Sequence, residues 1–210
     1  MAHSDLARHI VSVCRSLYDR GYVTATDGNV SARMPNGNIL MTPTSLNKGR
    51  VKESDLVEVT PEGVPVRAGQ KPSMELGMHL YIYAQRHDVH AVVHAHPTHA
   101  TGFATARLAL DRPLFPEVIF GLGPIPLADF ATPSTPDVAR SIAPFVHKAN
   151  AILLTNHGVV TFGKDLDDAY FKMEKVEHAA HITFVARMLG GEKPLSPRQI
   201  KRLTTVFKEN

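Results

Sequence analysis

The chain has 210 residues, with 23 lysines and arginines against 20 aspartates and glutamates, which gives a formal net charge of +3. This small, dispersed charge argues against nucleic-acid binding, no apolar run is long enough to span a membrane, and the N-terminus lacks a signal-peptide pattern. The single cysteine, Cys14, excludes an internal disulfide and a thiolate metal cluster, which fits a reducing, cytoplasmic location. The length suits one domain with a full hydrophobic core, so we expect a single domain over residues 1–210.

Hydrophobic spacing and turn residues predict a mixture of helices and strands. Ser4 caps a first helix that continues to Asp19 or Arg20, and Gly21 ends it. The further predicted elements are, in chain order, strands over residues 28–33, 39–42 and 56–60, a helix over 73–86 capped by Ser73, a strand ending in His-x-His, a helix opened by Pro97, a helix over 136–148, strands over 151–155 and 159–162, a long helix over 165–189 and a last helix from Pro197. This mixture predicts an α/β fold, with too few regular strand–helix pairs for a barrel.

Two apolar runs deliver histidines at their ends. His94 and His96 close the run over residues 91–97, and His157 follows a second apolar run over residues 151–155. Alternate side chains of a strand share a face, so His94 and His96 point the same way. Two histidines on one face and a third from a neighbouring strand are the usual ligands of a catalytic zinc, and buried imidazoles without a partner cost free energy. The pattern predicts a metalloenzyme.

The other histidines have simpler explanations. A lone histidine is usually a surface or core residue, which is our interpretation of five of them: His3, His9, His87, His90 and His147. His178 and His181 lie three residues apart in the long helix, but no second such helix is predicted to complete a metal site, so we expect a packed or solvated face. For His79 and His99 both a position in the cleft and a packed position stay open.

Glu75 allows two interpretations. It lies in the first turn of the predicted helix over 73–86, where a carboxylate offsets the positive end of the helix dipole. It could equally point at the metal, ligate it at rest and take a proton when substrate displaces it. The residues alone do not decide between the two.

Three short segments have the composition of an anion-binding site: residues 26–31, residues 42–45 and the helix start at Ser73. Small hydroxyls, exposed backbone N–H groups and a helix N-terminus are the ingredients of a phosphate-binding loop. Each segment alone is ordinary turn chemistry, so their significance lies in their occurring together.

Five motifs together carry a specific resemblance. They are, in order, TDGNVS at residues 26–31, TPTS at 42–45, KPSME at 71–75, HAH at 94–96 and NHG at 156–158. With these motifs in this order and at these spacings, the chain resembles the class II aldolase/adducin family over roughly residues 5–190. The resemblance implies a three-layer α/β/α fold with a largely antiparallel central sheet, and a cyclic homotetramer with active sites between neighbouring subunits.

The resemblance also implies roles for the site residues. Zinc, with manganese or cobalt as alternatives, is held by His94, His96 and His157, and Glu75 is the mobile fourth ligand and the catalytic acid/base. A substrate phosphate is bound by six residues: Thr26, Gly28, Asn29, Thr44, Ser45 and Ser73. The implied lyase reaction is the reversible retro-aldol cleavage of a ketose 1-phosphate to dihydroxyacetone phosphate and an aldehyde, through an enediolate that a Lewis-acidic metal stabilises.

The resemblance leaves other reactions of the family open. Relatives that epimerise pentulose phosphates have aspartate at the position of Glu75, so glutamate favours an aldolase over a 4-epimerase. Family decarboxylases of sugar-acid phosphates and a dehydratase are compatible with glutamate. A non-catalytic adducin-like module fits less well, because a scaffold has no use for an open metal site.

The chain departs from the family's aldolases in three places. Met74 replaces a serine and donates no hydrogen bond to phosphate, and Ser45 replaces a glycine in the second loop. The tyrosines that the family takes from a neighbouring subunit have no counterpart in residues 114–130 or in the C-terminal tail. The residues that could line the site in place of these tyrosines are phenylalanines: Phe115, Phe120 and Phe130. The aldehyde specificity of those aldolases therefore does not transfer.

Overall fold

A seven-stranded sheet forms the middle layer of the structure, which is a computed structural model that describes residues 3–208. Its strands, in chain order, are β1 (Asn29–Arg33), β2 (Ile39–Met41), β3 (Val57–Val59), β4 (Ala91–Ala95), β5 (Leu127–Ala128), β6 (Ala151–Leu154) and β7 (Gly158–Gly163). Their spatial order is β3-β2-β1-β4-β7-β6-β5. Most neighbours run antiparallel, but the edge strand β5 pairs parallel to β6. The sheet is therefore mixed, and the expectation of a largely antiparallel sheet did not include this parallel edge.

Helices cover both faces of the sheet. They are, in chain order, α1 (His3–Asp19), α2 (Leu76–Gln85), α3 (Thr98–Thr105), α4 (Pro116–Gly121), α5 (Pro136–Ile142), α6 (Leu166–Met188) and α7 (Pro197–Lys208). Side chains of α1, α3 and α6 share one buried cluster with the sheet, and those of α2 and α5 share a second. Val93 belongs to the first cluster and its neighbour Val92 to the second, as expected for the two faces of one strand. The fold is thus a three-layer α/β/α arrangement.

The central strand β4 lies between β1 and β7, and all five of its residues are buried. A strand covered on both faces has a continuous apolar sequence instead of an alternating one, which explains the run before His94. Because β4 ends at Ala95, the imidazoles of His94 and His96 emerge at one edge of the middle layer.

The helix predicted over residues 136–148 is shorter than expected. It ends at Ile142, because Pro144 has no N–H to donate and its ring crowds the preceding turn. The sequence also did not predict the short elements α4 and β5, since six and two residues are too few to show a periodic pattern.

Ser73 does not cap α2. The helix begins at Leu76, and the Ser73 hydroxyl instead accepts a hydrogen bond from the backbone N–H of Glu75, at 3.3 Å, in the turn that leads into the helix. The prediction that Ser73 starts a helix over residues 73–86 was therefore wrong at its N-terminal boundary. In residues 3–208, no helix has both the length and the apolar content needed to cross a membrane.

Cys14 provides a test of this packing. It lies fully buried on α1, and burial raises the pKa of its thiol to about 12. Since the thiolate is the reactive form, we expect no reaction with Ellman's reagent in the native protein and one equivalent after unfolding. Rapid modification of the folded protein would show that α1 does not pack as described.

Candidate metal centre and active site

Three imidazoles converge where β4 meets β7. His94 lies in β4, His96 follows that strand, and His157 lies in the turn before β7. Because β4 and β7 are antiparallel neighbours, with His94 opposite Val160, the end of one strand adjoins the start of the other. One ring nitrogen from each histidine lies within 4.8 Å of the others, and the ring centroids are 4.7 to 5.2 Å apart. The structure thus brings together the three histidines singled out from the sequence.

A hydrogen bond fixes the orientation of the buried His94 ring. Its Nδ1 lies 2.8 Å from the Val159 carbonyl oxygen, which can only accept, so Nδ1 carries a proton and donates. Nε2 then faces the other imidazoles, 3.0 Å from Nε2 of His96. Histidines that ligate zinc commonly donate their second ring N–H to a carbonyl in this way.

The two residues that flank His157 let it reach this position. Asn156 has a φ of +55°, a left-handed conformation that asparagine tolerates better than most residues. A Cβ atom at Gly158 would lie 2.5 Å from Cδ2 of His96 and 2.6 Å from the Ala95 carbonyl oxygen. Only glycine allows this close approach, so the NHG motif has a steric explanation.

The side chain of Glu75 faces the imidazoles. Glu75 is the N-cap residue of α2, but its side chain makes no capping hydrogen bond. Oε2 lies 3.1 Å from Nε2 of His94, and Oε1 lies 3.4 Å from Nε2 of His157. Of the two interpretations left open by the sequence, this geometry favours the carboxylate that points at the histidines over the helix cap.

The surroundings set the protonation states of these groups. Burial, together with the positive charge of His94, lowers the pKa of His96 to about 3 and that of His157 to about 4. Burial alone would raise the pKa of Glu75, but His94, His157 and a hydrogen bond from Asn29 hold it well below its usual range. Burial opposes a charge on His94 too, yet the Glu75 carboxylate raises its pKa. Neutral imidazoles and an ionised carboxylate are the forms that bind a metal.

This donor set fits a divalent cation. Three imidazole nitrogens and a carboxylate are ligands that zinc accepts, and three protein nitrogens leave a coordination position for substrate. Oε1 of Glu75 is buried and has no hydrogen-bond partner in the described part of the chain. A buried carboxylate oxygen without a partner is costly, and a cation beside His157 would remove that cost.

The three predicted anion-binding segments adjoin one another. The N–H of Thr44 donates to the Lys71 carbonyl and that of Ser73 to the Thr42 carbonyl, both at 3.2 Å, so residues 42–45 and 71–75 lie side by side. The φ of Ser45 is +55°, the left-handed conformation for which glycine is favoured. The hydroxyls of Thr44 and Ser45 are 3.4 Å apart.

Lys48, which the sequence analysis did not single out, links the first segment to the residue that follows the second. It is 1% exposed, and its Nζ donates to the carbonyl oxygens of Thr26 (3.0 Å) and Leu46 (2.7 Å). Gly28, which also belongs to the first segment, has a φ of +71°, and a Cβ there would lie 2.8 Å from the His94 carbonyl oxygen. The first loop is therefore held against both the second loop and the strand of the histidines.

The side chain of Asn29 is hydrogen-bonded to Glu75. Its Nδ2 donates to Oε2 of Glu75 at 2.9 Å, and its Oδ1 lies 2.5 Å from Nε2 of His79. His79 is thus a fully buried neighbour of Asn29 and not a fourth imidazole of the cluster. An amide nitrogen carries two N–H donors, so the contact with Glu75 leaves one of them for an anion.

The remaining predicted residues lie outside the cluster. Nδ1 of His99 is 2.7 Å from Oε1 of Glu177, and its ring stacks on that of His181 at 4.0 Å between centroids. The side chain of His178 is exposed. These contacts are those of a helix face, as expected for the two histidines of α6.

In the described part of the chain, the three candidate phenylalanines do not line the cleft beside Glu75. Phe115 packs against the core, whereas Phe120 is 36% and Phe130 60% exposed. Tyr81, which the sequence analysis did not connect with the site, lines a cleft together with Met74 and Glu75 between the starts of α2 and α5. A phenol therefore does stand in the cleft that Glu75 borders.

The chain belongs to the class II aldolase and adducin family, whose model, described as Class II Aldolase and Adducin N-terminal domain, matches residues 8–184. A 3-oxo-tetronate 4-phosphate decarboxylase of Escherichia coli O6:H1 is 33% identical over 195 residues, which cover 90% of this chain and 89% of the relative. An L-fuculose phosphate aldolase of Methanococcus maripaludis is 35% identical over 183 residues, which cover 85% and 96%. A solved structure of L-fuculose 1-phosphate aldolase has a TM-score of 0.89 and 30% identity, and the match covers 99% of this chain and 98% of that one. Family and relatives indicate an enzyme of the class II aldolase superfamily but differ in reaction type.

Removal of two imidazoles tests the metal centre. Wild-type protein should contain about one divalent ion per chain by elemental analysis, and the double variant His94→Ala/His96→Ala should contain almost none, because one imidazole and a carboxylate do not hold zinc tightly. The matched control is His87→Ala/His90→Ala, which removes two exposed histidines and should keep its metal. Near-complete retention in the first double variant would contradict the site.

Proposed function

We propose that the protein is a zinc-dependent aldolase that cleaves a ketose 1-phosphate reversibly to dihydroxyacetone phosphate and an aldehyde. The observation that carries the proposal is the convergence of three imidazoles with the Glu75 carboxylate, 3.1 Å from His94 and 3.4 Å from His157. The likeness to L-fuculose phosphate aldolases over most of the chain supports the same reaction class.

In this proposal His94, His96 and His157 hold the ion, with Glu75 as a fourth ligand at rest, and manganese or cobalt are alternatives to zinc. A bound ion would supply a Lewis acid that stabilises negative charge on substrate oxygens. The partly buried rings of His96 and His157 suit this task, because their lowered pKa values keep them neutral and able to ligate the ion.

Glu75 is the proposed acid/base. In the cleavage direction the hydroxyl group on the departing carbon loses its proton to water, that carbon becomes an aldehyde, and the pair of the broken carbon–carbon bond stays on the donor carbon. Glu75, after taking up a proton from water, gives it to the donor carbon, and in the synthetic direction it removes that proton. His94, His157 and the hydrogen bond from Asn29 hold the pKa of Glu75 low in the resting site, so the carboxylate becomes more basic when it turns away from them.

The proposed phosphate site is formed by the adjoining loops with the residues Thr26, Gly28, Asn29, Thr44, Ser45 and Ser73. The hydrogen bonds from Lys48 to Thr26 and Leu46 support it, because they place a buried basic side chain beside the first segment and the end of the second. We further propose that the chain is a single domain, as its length suggests, that it acts in the cytoplasm, as its single cysteine suggests, and that it forms a homotetramer, as the resemblance to the family implies.

Decarboxylation of a sugar-acid phosphate is the second candidate. The 33% identity to a 3-oxo-tetronate 4-phosphate decarboxylase over 90% of this chain favours it. Loss of carbon dioxide next to a carbonyl leaves an electron pair on the same type of carbon, so the same ligands and the same proton donor would serve. It differs in needing no group to accept the hydroxyl proton of a departing aldehyde.

Purified, zinc-loaded protein separates the two reactions. Ketose 1-phosphates are supplied with a coupled NADH assay for dihydroxyacetone phosphate, and 3-oxo-tetronate 4-phosphate is supplied in a parallel assay for carbon dioxide. We expect turnover of a ketose 1-phosphate that depends on added metal. Carbon dioxide release without any dihydroxyacetone phosphate would favour the decarboxylase, and no turnover of either class would contradict both.

The variant Glu75→Gln tests the acid/base role. It keeps the shape of the side chain but removes the base, so kcat should fall by about 10²- to 10⁴-fold, with the melting temperature close to that of wild type. Metal content is measured alongside, because the carboxylate is also a proposed ligand. The control Asp167→Asn makes the same chemical change in the first turn of α6 and should keep wild-type turnover. Unchanged turnover in fully metal-loaded Glu75→Gln would reduce Glu75 to a structural residue.

The variant Thr44→Val tests the phosphate site. Valine has nearly the shape of threonine but lacks the hydroxyl, so KM should rise about tenfold with kcat almost unchanged, since binding shared by ground and transition states is lost. The inhibition constant of inorganic phosphate should rise by the same factor. Thr105→Val, at the exposed end of α3, serves as the control. If phosphate does not compete with substrate even in wild type, the loops bind another group.

A further inference from the structure

A network of buried polar side chains leads from Glu75 into the protein. It consists of Asn29 and Ser31 on β1 and His79 and Tyr83 on α2, none more than 3% exposed. Beyond the contact of Asn29 with His79, Ser31 Oγ lies 2.7 Å from Nδ1 of His79 and 2.8 Å from the Tyr83 hydroxyl. We call these four residues the support network.

The chemistry of the groups allows one pattern of donors in this network. The ionised carboxylate of Glu75 only accepts, so the Asn29 amide nitrogen donates to it and the amide oxygen faces His79. That oxygen accepts from Nε2–H of His79, which leaves Nδ1 of a neutral ring to accept from Ser31. Burial, helped by the positive charge of His94, lowers the pKa of His79 to about 3 and keeps the ring neutral.

The Tyr83 hydroxyl then completes the pattern by donating to Ser31 Oγ. Every contact between Tyr83 and Glu75 therefore joins one donor to one acceptor, and all donors point toward the carboxylate. Turning the Asn29 amide over would set its oxygen against Glu75 and its nitrogen against the Nε2–H of His79. In a buried site that reversal is costly, so the network holds Asn29 in one orientation.

The two elements present these residues at matching spacings. Asn29 and Ser31 are two residues apart on one face of β1, about 6.7 Å along the strand. His79 and Tyr83 are four residues apart on one face of α2, about 6 Å along the helix. Glu75 precedes His79 by four residues and so comes to the same side of α2. The network therefore forms without irregular backbone in either element.

We propose that His79 is a positioning residue that, through the amide of Asn29, holds the carboxylate of Glu75 against His94 and His157. The proposal rests on the proposed role of Glu75, because the hydrogen bonds of the His79 ring go to Asn29 and Ser31 and not to the histidine cluster. Without the His79 N–H, the Asn29 oxygen has no donor and the amide is free to turn. The carboxylate then loses the N–H that fixes its position beside the metal-binding imidazoles.

Substitution of His79 tests this role. His79→Leu should lower kcat and zinc affinity, the latter from competition with a chelator, by about 10- to 100-fold each, the range typical of residues that orient metal ligands. KM should change little. His79→Gln, which keeps an N–H within reach of Asn29, should recover most of both losses. Tyr83→Phe should produce a smaller loss of the same kind, because it removes only the outermost donor.

Tyr170→Phe is the matched control for a destabilised fold. It also removes a largely buried hydroxyl, one that donates to Glu174 at 2.6 Å, on a helix outside the site. The proposal is overturned if the network variants lose no more kcat and zinc affinity than Tyr170→Phe does. It is also overturned if they keep wild-type kcat and zinc affinity. If His79→Leu does not fold, the comparison of His79→Gln and Tyr83→Phe with Tyr170→Phe decides in the same way.

A spectroscopic measurement is independent of catalysis. Histidine ¹⁵N NMR of the wild-type protein at neutral pH should show His79 as the neutral Nε2–H tautomer, and the Nδ1–H tautomer would overturn the donor pattern. If the wild-type protein cleaves none of the substrates tried, the proposed function fails. The tautomer and the zinc affinities of the variants would still decide whether His79 positions Glu75.

Discussion

The antiparallel pairing of β4 with β1 on one side and β7 on the other is the constraint on which the whole site depends. The register places Asn29 of β1 and Val160 of β7 opposite His94 of β4. A slip of one residue would turn every side chain of the slipped strand to the other face of the sheet. Because the register of both neighbouring strands is fixed, the amide of Asn29 and the turn that carries His157 lie next to His94 without any long loop.

The site also brings three histidines and a glutamate together at a place where burial makes charged side chains costly. Burial keeps His96 and His157 neutral, so the negative charge of Glu75 is balanced mainly by His94, whose own burial opposes a positive charge. A divalent cation would balance the same carboxylate with all three imidazoles neutral. The burial that disfavours protonated imidazoles thus keeps their nitrogens in the neutral form that binds a metal.

Local signals in the sequence were sufficient for the long elements and for the histidine cluster. The apolar spacing of α1 and α6 and the continuous apolar run of β4 predicted their type, and His-x-His with NHG named the three imidazoles. The support network could not be predicted, because its hydrogen bonds join residues 46 to 52 positions apart. The four-residue spacing of Glu75, His79 and Tyr83 is visible in the sequence. It gains meaning only once β1 is known to lie beneath that face of α2.

The proposed mechanism needs one side chain of the site to move and another to stay in place. The carboxylate of Glu75 makes no capping hydrogen bond to α2, so turning it away from the imidazoles breaks no bond of the helix. Such a turn removes the neighbours that hold its pKa low, and basicity rises when the carboxylate is free to take a proton. Asn29, in contrast, has a second buried partner, because its Oδ1 lies 2.5 Å from Nε2 of His79. In the proposed mechanism the Asn29 amide therefore marks the position to which the carboxylate returns.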